Sequence, residues 1–174
     1  MKWVLVVVAV LVLLVVVLML VGASLPREHR ATCRATFHAG AETIFGILTD
    51  IDGQPAWRAG LKSIRHMEPI DGKPSYVEES QHGPIRYVVE SSDAPHKRVL
   101  RIADESLPYG GTWTFELSPS GTGTTLSITE DGFVKPALFR VLARFVFGYH
   151  ANLEQYLSSL AQKLGESVTI ERVE

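Results

Sequence analysis

Residues 111–132, GTWTFELSPSGTGTTLSITEDG, contain two runs of alternating polar and apolar side chains on either side of a turn. Alternate residues from Trp113 to Leu117 are apolar, and so are Leu126 and Ile128 in the second run. A period of two residues is that of a β-strand, and a short Gly-rich segment between two such runs is typical of a hairpin. The stretch therefore predicts two neighbouring antiparallel strands with one apolar face.

Upstream of this hairpin, turn-forming residues recur about every ten positions, as they do in antiparallel meanders. They divide the chain from Leu61 to Gly132 into six short runs, and a further strand-like run, His29–Phe37, precedes them. The sequence thus predicts seven strands.

Helical spacing appears in two places. Between the first strand and Leu61, apolar residues from Ile44 to Leu48 predict a short helix, and a second helical turn leads to Trp57. After Gly132, apolar residues recur with a period of 3.6 from Leu138 to Leu164. This spacing predicts one long C-terminal helix that ends at Gly165.

The N-terminus is apolar without interruption from Trp3 to Val21, over 19 residues. At a rise of 1.5 Å per residue, such a helix spans about 28 Å, which is close to the hydrocarbon thickness of a bilayer. We interpret residues 1–23 as an N-terminal transmembrane anchor. The alternatives are a signal peptide cleaved before Ser24, whose apolar region would be unusually long, and a buried core helix, which would need some polar face.

The anchor is followed by a predicted linker (24–28), one domain (29–166) and a C-terminal tail (167–174). Basic residues after the anchor outnumber Lys2 before it, which favours a cytoplasmic domain. The net charge of −2 with mixed signs argues against a nucleic-acid partner. Because Cys33 is the only cysteine, the chain forms no intramolecular disulfide.

Four segments carry a resemblance to a known family: TDIDGQPAW (49–57), GPIRY (83–87), GTWTFEL (111–117) and GTTLSITE (123–130). In this order, ahead of an amphipathic C-terminal helix, they resemble the START-related helix-grip (SRPBCC) superfamily and its polyketide cyclase/dehydrase branch. The resemblance implies an α+β helix-grip fold, in which a curved seven-stranded antiparallel sheet wraps around the last helix. It also implies an apolar cavity between sheet and helix.

We expect a ligand in that cavity to meet aromatic side chains, although the same rings would also fill an ordinary core. Glu130 shares the predicted inner face with Ile128, where a carboxylate is unfavourable unless it is paired or used. It would hold a ligand hydroxyl, lie at the strand end where the face opens to water, or pair with Arg86 or Arg98. The predicted ligand-binding residues are Trp57, Tyr76, Tyr87, Trp113, Phe115, Glu130, Phe145 and Tyr149.

No catalytic motif is recognisable, and we expect no cofactor. His66, His82, His96 and His150 lack the spacing of metal ligands, so we expect surface histidines and no metal. The favoured hypothesis is a membrane-tethered module that binds a lipid or another small hydrophobic ligand. The alternatives are a cyclase/dehydrase-like enzyme with Glu130 or Tyr87 as acid or base, and a partner-binding domain with a collapsed cavity.

The start of the long helix is apolar nearly all round, from Ala137 to Phe147. A half-solvated helix would have a polar face there. Two explanations remain open: burial by neighbouring structure, or contact with membrane lipids, in which basic residues meet phosphates. The predicted membrane-contact residues are Phe139, Arg140, Arg144 and Phe147.

Overall fold

A single antiparallel sheet dominates the computed structural model, which describes residues 2–81, 83–121 and 123–173. Its strands are β1 (Glu28–Phe37), β2 (Leu61–Ile70), β3 (Lys73–Ser80), β4 (Gly83–Asp93), β5 (Lys97–Ile102), β6 (Tyr109–Ser120), β7 (Gly123–Val134) and β8 (Glu171–Val173). Their order in the sheet is β2-β3-β4-β5-β6-β7-β1-β8. The α+β architecture and the β6–β7 hairpin agree with the prediction.

One strand, β8, goes beyond the predicted seven. It lies in the segment predicted as a tail and pairs with β1 at the sheet edge, where Thr32 faces Val173. Two ion pairs hold it: Arg34 Nη2 lies 2.8 Å from Glu171 Oε2, and Arg172 Nε lies 2.5 Å from Glu154 Oε1. Three exposed residues carry no periodic pattern, so only the pairing itself identifies this strand.

The helices are α1 (Lys2–Ser24), α2 (Ala41–Thr49), α3 (Ala137–Leu142) and α4 (Ala151–Leu164). A 3₁₀ turn (Gln54–Ala56) follows α2, and a π-helical turn (Ala143–Phe147) follows α3. The helix predicted from Leu138 to Leu164 is therefore divided. Gly148 causes the break, because its φ of 73° and ψ of 146° belong to a region that only glycine adopts readily.

The core lies between the inner face of the sheet and two helices. Alternate β1 residues from Ala31 to Phe37 are buried, as the period of two requires. Leu153, Leu157 and Leu160 of α4 are fully buried against this face. Gly165 ends α4 in the left-handed conformation, with φ 69°, as predicted.

Helix α1 is long and apolar enough to cross a membrane, and none of its most apolar window is buried in the domain. Only its C-terminal end packs on the domain, against α3. A Cβ atom added at Gly22 would lie 2.0 Å from the carbonyl oxygen of Ala137, so only glycine allows this close approach. The following residues, predicted as a linker, are also attached to the domain by a backbone hydrogen bond. The Val134 N–H donates to the Arg27 carbonyl over 2.8 Å.

Arg140 completes this contact between helix and domain, which we call the α1–α3 clasp (Gly22, Leu25, Ala137, Arg140 and Val141). The Arg140 guanidinium donates from Nη1 to the Leu25 carbonyl over 2.8 Å, beyond the C-terminal end of α1. Arg140 as a whole is 8% exposed. The expectation that Arg140 meets lipid phosphates is therefore wrong, because its guanidinium donates to the backbone carbonyl of Leu25, just beyond the end of α1.

Candidate functional site

The inner face of the sheet carries a band of rings and charges in addition to aliphatic side chains. Residues directly opposite in antiparallel register share a face, so the pairings identify the band. Trp113 lies opposite both Leu100 and Glu130, Phe115 lies opposite Arg98, and Tyr76 lies opposite Tyr87. The structure therefore brings most of the predicted ligand-binding residues together beneath α4.

Tyr156 of α4 is the centre of the aromatic contacts. Its ring centroid lies 5.3 Å from that of Phe115, 5.5 Å from that of Trp57 and 6.3 Å from that of Trp113. Sequence reasoning treated Tyr156 only as part of a helical stripe. Its position in the middle of that stripe, facing the sheet, is the signal that would have identified it.

A buried ion pair lies beside these rings. Arg58 follows the 3₁₀ turn and donates from Nη1 and Nη2 to the two carboxylate oxygens of Glu78, over 2.6 and 3.1 Å. Nη1 also lies 2.6 Å from Gln54 Oε1, and the guanidinium carbon lies 4.8 Å from the Tyr156 ring centroid. Burial alone would lower the pKa of Arg58, but the charge of Glu78 raises it, so the guanidinium stays charged.

Sequence reasoning missed both members of this pair. Glu78 lies two residues after Tyr76 on the same strand, and this parity predicts the same face. Arg58 gives no such signal, because a basic residue in a turn is ordinarily solvated.

Arg98 is a second buried arginine, 4% exposed, and it has no partner of this kind. Within the part of the chain that the structure describes, its guanidinium makes no hydrogen bond or ion pair, and its Nε is among the buried unpartnered atoms. The hydroxyl of Tyr76, 1% exposed, is another. The charge of Arg98 opposes the rise in the pKa of Tyr76 and Tyr156, as expected of a cation near both hydroxyls.

The tyrosines of the band are hydrogen-bond donors at neutral pH. Burial raises the pKa of Tyr156 to about 12 and that of Tyr87 well above its ordinary value, with the charge of Glu78 adding to the rise at Tyr87. Burial also raises the pKa of Tyr76. These hydroxyls therefore stay protonated, and Tyr87 is unsuited to the role of a general base.

Glu130 lies at the other end of the band, and neither predicted arginine pairs with it. Arg86 donates instead to the Glu68 carbonyl and to Ser75 Oγ. The group nearest the Glu130 carboxylate is His29, whose Nε2 lies 3.5 Å from Oε1. The His29 ring stacks on Tyr149 with centroids 4.0 Å apart, and its Nδ1 is buried without a partner in the described residues.

The space enclosed by the band is small. The cavity has a volume of about 20 Å³, which suits roughly one water molecule. Of the residues predicted to bind a ligand, Tyr87, Trp113 and Phe115 line this cavity, while Tyr76 and Trp57 belong to the surrounding core. The residues that line it are Gln54, Arg58, Glu78, Tyr87, Leu100, Trp113, Phe115 and Tyr156.

Phe145 does not belong to this interior, contrary to the prediction. It lies in the π-helical turn and is 64% exposed, since the break at Gly148 turns that segment away from the sheet. The same turn exposes Arg144, Val146 and Phe147, the last by 68%, and Phe139 of the preceding α3 is also exposed. We call residues 144–147 the apolar turn.

The described histidines lie apart from one another. Of the four considered, His66 and His96 are exposed, His150 is partly buried, and His82 lies outside the described residues. His66 Nε2 lies 2.8 Å from Asp52 Oδ1 at the surface. Among residues 2–81, 83–121 and 123–173, no group of three metal-ligating side chains occurs.

Comparison with known proteins agrees with this geometry. Residues 28–165 match the sequence model of a family described as polyketide cyclase/dehydrase and lipid transport. No curated protein matches the chain.

Solved structures share the fold at low sequence identity. A conserved protein from Geobacillus kaustophilus is 16% identical with a TM-score of 0.64, over 82% of this chain and 99% of that one. A START superfamily protein from Mycobacterium smegmatis is 18% identical with a TM-score of 0.61, over 80% and 98%. A truncated norcoclaurine synthase from Thalictrum flavum is 11% identical with a TM-score of 0.64, over 80% and 95%. At these identities the likeness concerns the fold.

Proposed function

Because the chain belongs to the polyketide cyclase/dehydrase and lipid transport family, we propose that it is a membrane-tethered module that holds a lipid or another small hydrophobic molecule between the sheet and α4. One observation carries the proposal: an aromatic-lined interior and an exposed helix of membrane length belong to the same domain. The α1–α3 clasp holds the end of this helix against the domain.

A ligand larger than water requires this interior to open, since the present cavity is about 20 Å³. Two features support such movement. Trp57 and Trp113 are only partly buried, so their rings are the least confined of the band. In addition, Gly148 separates α4 from α3, so a hinge at this residue would let α4 shift without moving the clasp.

Native mass spectrometry of the full chain, extracted gently from membranes, tests the proposal. We expect an apolar molecule to co-purify with wild type. Leu100→Trp should abolish it, because Leu100 lines the cavity and a larger side chain fills the space. Val99→Trp, on the opposite face of the same strand, is the matched control and should retain it. A wild-type protein without any bound molecule would favour the collapsed-cavity alternative.

We also propose that the apolar turn contacts membrane lipid. Phe145 and Phe147 are each exposed by about two thirds, on a segment that directly continues α3. Since α3 packs on the end of α1, a membrane around α1 would lie close to this turn. Arg144 and Phe139 complete the surface, with the arginine suited to lipid phosphates.

A depth measurement checks this contact. A spin label at Phe147→Cys in nanodiscs should be accessible to oxygen and shielded from a water-soluble nickel reagent. Native Cys33 is fully buried and should stay unlabelled. Ser118→Cys serves as the control, because it is exposed near the β6–β7 turn, at the opposite end of the sheet. Equal access of the nickel reagent to both labels would contradict lipid contact.

The anchor should remain attached in the mature protein. A cut before Ser24 would remove Gly22 and with it the packing of α1 on Ala137 and Val141. Intact-mass analysis of membrane-extracted protein should therefore give the mass of the uncleaved chain, and a chain that begins at Ser24 would refute an anchor. We assign the domain to the cytoplasmic side, from the basic residues that follow α1.

A second candidate function is enzymatic, and the His29–Glu130 pair favours it. A carboxylate beside a largely buried imidazole is a common acid–base arrangement. Its test is incubation with a linear poly-β-ketone thioester. Under this alternative, wild type yields a product lighter by one water, and Glu130→Gln does not.

A further inference from the structure

The unpartnered Arg98 guanidinium identifies the chemistry that the interior lacks. A guanidinium stays charged at every pH at which proteins fold, so it cannot relieve its burial by losing a proton. An isolated buried charge is strongly unfavourable unless an opposite charge or several hydrogen-bond acceptors lie beside it. No described side chain supplies either to Arg98: the residue as a whole is 4% exposed, and its Nε is buried without a hydrogen-bond partner.

The surrounding groups do not supply the missing acceptor. The Glu78 carboxylate is engaged by both terminal nitrogens of Arg58, and Glu130 lies next to His29. The Tyr76 hydroxyl is itself a protonated donor without a partner. The interior therefore has donors without acceptors, and its Arg98 cation has no counter-charge in direct contact.

We propose that the ligand of this site is an apolar molecule with a single carboxylate, which accepts hydrogen bonds from the Arg98 guanidinium and the Tyr76 hydroxyl. The apolar part then lies against Phe115 and Trp113. This inference rests on the proposed function and specifies its ligand class.

The shape and charge of the site favour a carboxylate over other polar heads. The planar fork of a guanidinium matches the two oxygens of a carboxylate. One carboxylate gives the Arg98 cation the directly bonded counter-charge that it lacks. A neutral alcohol or ester would leave that cation uncompensated, and a phosphate would bring more charge than the site balances.

A competition experiment tests the inference on the full chain in detergent micelles. Palmitic acid and methyl palmitate are added in equal amounts, and native mass spectrometry counts the two adducts. These probes share one apolar chain and differ only in charge. We expect the acid adduct to exceed the ester adduct by about tenfold, as a charge-assisted hydrogen bond would give.

Four variants assign the preference to the site. Arg98→Met should bring the two adducts to similar amounts, and Tyr76→Phe should lower the preference severalfold. Arg65→Met removes an exposed arginine and should keep the wild-type ratio. Arg98→Lys keeps the positive charge but not the planar guanidinium, so it should show a reduced preference for the acid over the ester. It replaces Arg98→Met in the comparison if that variant does not fold.

The outcomes distinguish failure of the carboxylate inference from failure of the proposed hydrophobic ligand binding. Equal adducts in wild type, or a preference that survives in Arg98→Met, would overturn the carboxylate inference and leave hydrophobic ligand binding intact. Absence of both adducts would overturn hydrophobic ligand binding itself.

Discussion

Glu78→Gln is expected to destabilise the domain by about 3–5 kcal/mol, because it leaves the buried Arg58 guanidinium without its counter-charge. Arg58 cannot lose its proton, and both of its terminal nitrogens now bind the Glu78 carboxylate. Its remaining partner, Gln54, is neutral. Urea unfolding of the full chain in micelles, followed by circular dichroism, measures the loss.

The adjacent residue provides a matched control. Glu79 lies on the opposite face of β3 and pairs with the exposed Arg65, whose Nη2 lies 3.3 Å from Glu79 Oε1. Because exposed ion pairs contribute little, Glu79→Gln should change stability by less than about 1 kcal/mol. Equal losses in the two variants would mean that Arg58 finds water or another partner when Glu78 is neutral.

The Phe115→Ala and Trp113→Ala variants should differ in which property changes, stability in the first and ligand uptake in the second. Phe115 is buried and its ring packs on Tyr156, so we expect its truncation to cost about 3–5 kcal/mol. Trp113 is only partly buried at the edge of the cavity, so its truncation should cost less and enlarge the space beside Phe115. Uptake of an apolar fluorescent probe should therefore rise in Trp113→Ala.

Thermal unfolding and probe titration of the same two proteins provide the measurements. If both variants lose equal stability and neither changes probe uptake, strand β6 does not form a wall of a ligand site. A stable Phe115→Ala variant would likewise contradict the packing described for Tyr156.

Much of the fold is predictable because its strands are amphipathic. The alternation in β6 and β7 places Trp113 and Phe115 on the inner face, and the structure agrees. By contrast, the break in the last helix is hidden from the sequence. The apolar period continues through Phe145 and Tyr149, while a single backbone torsion at Gly148 divides the helix.

The charged part of the site is harder to predict, for a different reason. Arginine side chains ordinarily lie at the protein surface. The sequence alone therefore predicts a solvated position for Arg58, Arg98 and Arg140 alike. Their burial depends on partners far along the chain: Glu78 for Arg58 and the Leu25 carbonyl for Arg140. In β5, Arg98 and Leu100 share one face, and Val99 and Arg101 share the other. Each face thus has one arginine and one aliphatic residue, so the pattern does not identify the buried face.

The α1–α3 clasp has a consequence for how cargo would be exchanged. A domain on a flexible stalk sweeps a wide volume and reaches an opposing surface. Here Gly22 and Arg140 fix the domain to the end of its own helix. If α1 spans a bilayer, the domain keeps one orientation relative to the membrane and cannot extend away from it. Its motion then reduces to diffusion and rotation within the membrane plane. Loading and delivery would then be lateral, between neighbours in one membrane, and would not bridge two membranes.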